Sequence, residues 1–74
     1  MDEETLRIKL GVAIRTRRSE LGYSQDSFAD QIEMHRAYYS SIERGERNLT
    51  LSTMSRVANG LNCALAELFR SARL

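Results

Sequence analysis

The sequence predicts an all-α fold, a compact bundle of five helices, and three observations carry that prediction. Apolar residues make up 42% of the 74-residue chain. They recur at three- and four-residue spacing, and no useful stretch alternates with the period of two that a half-buried strand needs. The chain has no proline and only four glycines, so few positions interrupt the helical runs. The length fits one domain, residues 1–74, close to the lower limit at which a single core sustains itself.

The first helix is expected over Glu3–Leu21, with the acids at its start complementing the helix dipole. Leu6, Leu10, Ala13, Ile14 and Leu21 share one stripe. Arg17 and Arg18 lie beside it, placed to lay aliphatic stems along the core edge with their heads in water. Gly22 suits a left-handed stop. Ser24 then caps a second helix, Gln25–Ile32, whose inner face is Phe28, Ala29 and Ile32. A corner at Glu33–Met34 leads to a third helix, Arg36–Arg44, for which His35 is a weak cap. A loop, Gly45–Asn48, follows. Thr50 or Ser52 caps a fourth helix, Ser52–Leu61, next to the apolar residues Leu51, Met54, Val57, Ala58 and Leu61. Asn62 can take the left-handed exit conformation. A fifth helix covers Ala64–Arg70, and the tail Ser71–Leu74 is expected to fray.

Function concentrates between Tyr23 and Thr50. Two short helices joined by a tight corner are the signature of a helix-turn-helix. With Tyr39 and Ile42 buried, Ala37, Ser40, Ser41 and Arg44 point away, flanked by Arg36 and Tyr38. A merely solvated face would be richer in Glu and Lys. This one is small, hydroxylated and basic. Small residues permit close approach, serine bonds a base edge, and arginine grips guanine or phosphate, so the face suits the DNA major groove. Gln25, Arg47, Asn48 and Thr50 are placed to hold phosphates and fix register. Of the adjacent tyrosines, Tyr39 is assigned to the core and Tyr38 to sugar-phosphate or a thymine methyl.

Charge and composition narrow the alternatives. The formal net charge is +1, from 11 Lys+Arg against 10 Asp+Glu, which is a weak nucleic-acid signal by itself. Lys9 is the single lysine, so the cations are almost all arginine, the residue suited to bidentate contacts. Cys63 is the only cysteine; it reads as a small apolar core residue, and a reducing compartment is consistent. No signal peptide and no membrane-length apolar run appear, so a cytoplasmic protein without membrane contact is expected. His35 has no second ligand at helical spacing, so no metal and no cofactor are expected. With no Gly-rich phosphate loop, no His/Cys/Asp cluster and little room for a substrate pocket, the chain does not read as an enzyme.

Several strings together resemble the Xre/Cro and phage-repressor family of helix-turn-helix domains, the lambda-repressor-like fold. They are Ile14-Arg15 with Arg18, Gly22-Tyr23-Ser24-Gln25, Phe28-Ala29, Ser40-Ser41-Ile42-Glu43-Arg44-Gly45 and Arg47-Asn48-Leu49-Thr50. The likeness covers residues 10–69. It implies an ion pair between Arg18 and Glu43 joining the first and third helices, and a DNA contact from Gln25. It also implies base or backbone contacts from Arg36, Ala37, Tyr38, Ser41 and Arg44. The run Arg36–Arg44 followed by Arg47–Thr50 is also similar to the controller proteins of restriction–modification systems, which are short dimers on palindromic operators. Three positions depart from the family pattern: Glu33 stands where Gly or Asn is usual, Arg17 where an aliphatic residue is usual, and His35 where Ser, Thr or Asp caps.

The expected function is therefore sequence-specific transcription regulation by a homodimer on double-stranded DNA. Leu65, Leu68, Phe69 and Leu74 are assigned to a surface shared between two copies, the alternative being that they close the monomer core. Activation would require a patch facing RNA polymerase, near Glu33, Glu43 or Glu46. No small-molecule effector is expected, because no sensor region is visible. Two other classes compete. A protein-binding adaptor would show an apolar patch on the third helix, and an antitoxin would carry a toxin-binding segment.

Overall fold

Four of the five helices begin where a side chain takes up an orphan amide, and all five end where the backbone turns left-handed. The computed structural model describes residues 1–74 and contains five helices and no strand: α1 (Glu3–Glu20), α2 (Gln25–Gln31), α3 (Arg36–Glu43), α4 (Leu51–Gly60) and α5 (Leu65–Ser71). Asp2 accepts a hydrogen bond from the Thr5 amide at 2.8 Å. Ser24 and Ser27 cap α2 reciprocally. Thr50 accepts from the Thr53 amide at 3.1 Å and starts α4 one residue earlier than expected. His35 makes no cap bond, since its ring is too long to fold back onto its own amides.

All five C-termini close in the same way. The residue after each cap has positive φ: Gly22, Glu33, Gly45, Asn62 and Arg73. In each case the next amide reaches back five residues, as from Met34 to the Ala29 carbonyl at 2.8 Å. This is the Schellman closure. It also orders the tail that was expected to fray. Ser71 is helical, Ala72 is buried, and the Leu74 amide bonds the Phe69 carbonyl at 3.0 Å.

The helices pack around Tyr39, Phe28, Ile14, Leu61, Leu68 and Val57, the largest fully buried side chains. Each contributes about 1.5–3 kcal/mol of burial. Phe28 stands between Tyr23 and Tyr39, with ring centroids at 5.5 and 5.2 Å. Helix α3 packs on α1 and α2, and α5 on α1 and α4. Close approach occurs where side chains vanish. A Cβ at Gly11 would stand 2.4 Å from the Glu43 carbonyl oxygen, and one at Gly60 would stand 2.4 Å from the Ile32 side chain.

Some expected core positions are corrected. Leu6, Leu21 and Leu51 are exposed, Leu51 in the first turn of α4. Arg17 departs from the aliphatic pattern for a visible reason. Its Nε donates to the Leu61 carbonyl at 3.1 Å and its Nη2 to the Asn62 carbonyl at 3.2 Å, closing the end of α4. Cys63 is half-buried rather than buried, and burial pushes its thiol up. Leu68 was assigned to a shared surface but is 2% exposed and belongs to the core, because α5 turns this side onto α1 and α4. Leu65 and Phe69 are half-buried and Leu74 is exposed.

Candidate nucleic-acid interface

Helix α3 is held by a buried polar cluster centred on Glu43. Arg18 donates from Nε to Glu43 Oε2 at 2.7 Å and from Nη2 to Oε1 at 3.1 Å. Its Nη1 donates to the Tyr23 carbonyl at 2.7 Å. The Tyr39 hydroxyl donates to Glu43 Oε2, and Gln25 Nε2 donates to Oε1 at 2.8 Å. The carboxylate therefore links α1, α2 and α3 at once. Burial alone would push the Glu43 carboxyl up, but the hydrogen bonds from Arg18, Tyr39 and Gln25, with the charge of Arg18, hold it below the usual carboxylate range. Burial pushes the Tyr39 phenol up, reinforced by Glu43, so it remains a donor. No buried side-chain nitrogen or oxygen lacks a partner. Arg18 is thus a buried ion-pair partner and not a solvated edge residue.

The opposite side of α3 is open. Arg36, Ala37 and Arg44 are exposed and Ser40 is half-exposed, while Tyr39 and Ile42 are buried. Ser41 is corrected: it is 3% exposed and cannot reach a base edge. Its hydroxyl donates to the Tyr38 carbonyl at 2.6 Å and accepts from Arg47 Nε at 2.9 Å. Glu43, 6% exposed, is likewise removed from any surface acidic patch. The reason is geometric. Arg47 of the following loop folds back onto Ser41, while Arg18 of α1 and Gln25 of α2 draw Glu43 inward, so the free arc of α3 is narrower than one-sided burial allows.

The residues flanking α3 converge on its C-terminal end. The Arg47 guanidinium lies over the half-buried Tyr38 ring, 5.3 Å from its centroid. Arg7 of α1 donates to the Gly45 carbonyl at 3.1 Å and to Asn48 Oδ1 at 3.0 Å, which orients the Asn48 amide outward. Arg7 was not foreseen, because its partners lie 38 and 41 residues away and no local pattern joins them. Thr50 stands at the start of α4, its hydroxyl engaged as a cap. Gln25 was expected to be free for phosphate, but it is half-buried and turned toward Glu43.

Both outer arginines are held by carboxylates. Arg36 donates from Nε and Nη2 to the two oxygens of Asp30, at 3.3 and 2.7 Å, and from Nη1 to Asp26 at 3.3 Å. Arg44 grips Glu46 in the same two-pronged way at 3.0 and 3.1 Å, and donates from Nη1 to Ser40 at 2.7 Å. The Arg36 guanidinium holds the Asp30 carboxyl below its ordinary value, as Arg44 does for Glu46. The sequence marks Asp26 only as an acid suited to the first turn of α2 and does not single out Asp30, although their four-residue spacing places them on one face.

No group of three or more His, Cys, Asp or Glu side chains converges to hold a metal ion. No helix is long and apolar enough to cross a membrane. A cavity of about 180 Å³ opens between α1 and the start of α4, against Leu6, Leu10, Ile42 and Met54.

Comparison with known proteins agrees with this geometry. The helix-turn-helix family model matches residues 14–68. The control protein C.MunI of Mycoplasma sp. is 43% identical over 65 residues, covering 86% of this chain and 88% of that protein. Among solved structures, the clp gene regulator ClgR of Corynebacterium glutamicum superposes with a TM-score of 0.88 at 26% identity, over 92% of this chain and 87% of that one. The restriction–modification controller C.Esp1396I, solved as a tetramer with its natural 35 base-pair operator, gives 0.80 at 30% identity, over 93% and 96%. These relatives are controllers and gene regulators, not enzymes. The chain belongs to the helix-turn-helix family, as a DNA-binding transcription regulator of the Cro/C1 type akin to the restriction–modification control proteins.

Proposed function

We propose that this protein is a restriction–modification controller that binds a palindromic operator as a homodimer, with α3 in the major groove. One observation carries the proposal: the Arg36–Arg44 side of α3 is uncovered, while its opposite side is fixed rigidly by Glu43. Arg36 and Arg44 are the base readers, with Ala37 and Ser40 permitting close approach. Arg47 and Asn48 hold phosphate, with Tyr38 against the sugar edge and Thr50 and Gln25 near the backbone. Leu65, Phe69 and Leu74 supply the shared surface between copies. The twofold axis then places two recognition helices about 34 Å apart, one turn of DNA. The operator-bound tetramer of C.Esp1396I supports this geometry. A cytoplasmic location fits the same role. If the protein also activates, Glu33 is the exposed acid available to RNA polymerase, since Glu46 is engaged by Arg44.

An adaptor that binds protein would present apolar surface on α3. The exposed large apolar residues are Met1, Leu6, Ile8, Val12, Leu21, Leu51 and Leu74, none of them on α3. Selection of bound duplexes from random DNA, followed by gel shifts across a salt series, tests the proposal. Recovery of a twofold-symmetric site is expected, and Arg36→Ala weakens binding to it roughly ten- to hundredfold while sparing the fold. Failure to enrich any sequence overturns the proposal.

A further inference from the structure

Both base-reading arginines on the open side of α3 are gripped by carboxylates from outside the helix. On elementary grounds this is costly for a DNA-binding surface, since Asp26, Asp30 and Glu46 are exposed and repel phosphate. An exposed ion pair adds little stability by itself. The grip therefore calls for an explanation other than folding.

The geometry supplies one. A guanidinium has five N–H donors in a planar fork. Asp30 takes the side edge of Arg36, Nε with Nη2, and Asp26 takes one donor of Nη1. One N–H remains free on each terminal nitrogen. With Nη1 donating through its outer hydrogen, those two point forward as the parallel pair that guanine O6 and N7 accept. Glu46 takes the same edge of Arg44, Ser40 takes one Nη1 donor, and again one N–H stays free on each terminal nitrogen. Contact with guanine can thus be made without releasing the carboxylate. A phosphate oxygen reaching the same two N–H groups meets a guanidinium whose charge is already offset by an adjacent carboxylate that repels it, whereas neutral guanine meets no such repulsion.

We propose that Asp30 and Glu46 are specificity-determining positioning residues, which pre-orient Arg36 and Arg44 for guanine and withhold them from the DNA backbone. This rests on the assignment of Arg36 and Arg44 as base readers. On a cognate site the grip is kept and the guanine contact is made by an arginine already ordered, which lowers the entropic cost of binding. On random sequence the gripping carboxylate offsets the arginine's charge and repels the phosphate beside it, so non-specific affinity is held down. Discrimination widens from both directions.

The test compares Asp30→Asn with Glu20→Gln in the full-length protein. Each removes one exposed negative charge, and Glu20 lies at the end of α1 with no ion-pair partner. Binding is measured to a random-sequence duplex and to the duplex recovered by selection, with each base pair of the latter substituted in turn. Relative to Glu20→Gln, Asp30→Asn is expected to tighten random-sequence binding about three- to fivefold, the range of an exposed ion pair. It should also steepen the salt dependence by about one counterion. Discrimination should narrow only at the base pair that Arg36→Ala also relaxes. Glu46→Gln should do the same at the base pair read by Arg44. In an Arg36→Ala background, Asp30→Asn should lose its excess over Glu20→Gln. If the wild type selects a site but Asp30→Asn merely tracks Glu20→Gln on both duplexes, the positioning role is wrong and the base-reading assignment stands. If Arg36→Ala and Arg44→Ala leave the base preferences unchanged, the assignment falls and takes this inference with it.

Discussion

At the scale of single residues, Glu43 matters most for the position of α3. Its carboxylate accepts from Arg18, Tyr39 and Gln25, side chains of all three helices that meet there. Removing one member of a buried pair leaves the other charge unpaired, so Glu43→Ala should cost about 3–5 kcal/mol in urea denaturation. The folded-state pKa of Glu43 is depressed. Its contribution is therefore complete above the unfolded value near 4.5 and is lost as pH falls through the lower folded value. Stability should drop below that pH in the wild type and drop less steeply in Glu43→Gln. Ser41 supports rather than reads. Ser41→Ala removes the anchor of Arg47 and should cost about 1 kcal/mol of stability. Operator affinity should fall while the preferred bases stay the same. A changed base preference would return Ser41 to the reading face.

At the scale of elements, the corner between α2 and α3 closes on Glu33 at φ 54°. A non-glycine residue there costs about 1–2 kcal/mol of backbone strain, part of which glycine returns as chain entropy. Glu33→Gly should raise stability by about 0.5–1 kcal/mol, measured as a shift of the denaturation midpoint at unchanged slope. Gly11 shows the opposite balance. Alanine in mid-helix gains roughly 0.5–1 kcal/mol in propensity, yet its Cβ would stand 2.4 Å from the Glu43 carbonyl oxygen. The overlap should win, at about 1–3 kcal/mol net loss. Because that contact seats the end of α3 on α1, Gly11→Ala should weaken operator binding more than its effect on stability alone explains.

At the scale of the whole molecule, the domain measures 32 × 22 × 20 Å and leaves Leu65, Phe69 and Leu74 incompletely buried near its C-terminal end. If these residues join two copies, Leu65→Glu with Phe69→Glu should shift sedimentation from dimer to monomer. Affinity for a full palindrome should collapse toward that for a half-site. A variant that stays dimeric would place the interface elsewhere, with the exposed pair Ile8 and Val12 of α1 the next surface to probe.

The sequence alone determined the all-α class, all five helices to within a residue at every end, and the helix-turn-helix formed by the second and third. Those features rest on periodicity, caps and left-handed stops, which are local and written in neighbouring residues. Tertiary structure alone decided that Ser41 faces inward, that Leu68 is core, that Arg17 closes α4, and that Asp30 and Glu46 hold the outer arginines. Burial of α3 is set by α1, α2 and the loop that carries Arg47 together, and a pattern read along one helix gives the direction of a face but not the width left uncovered.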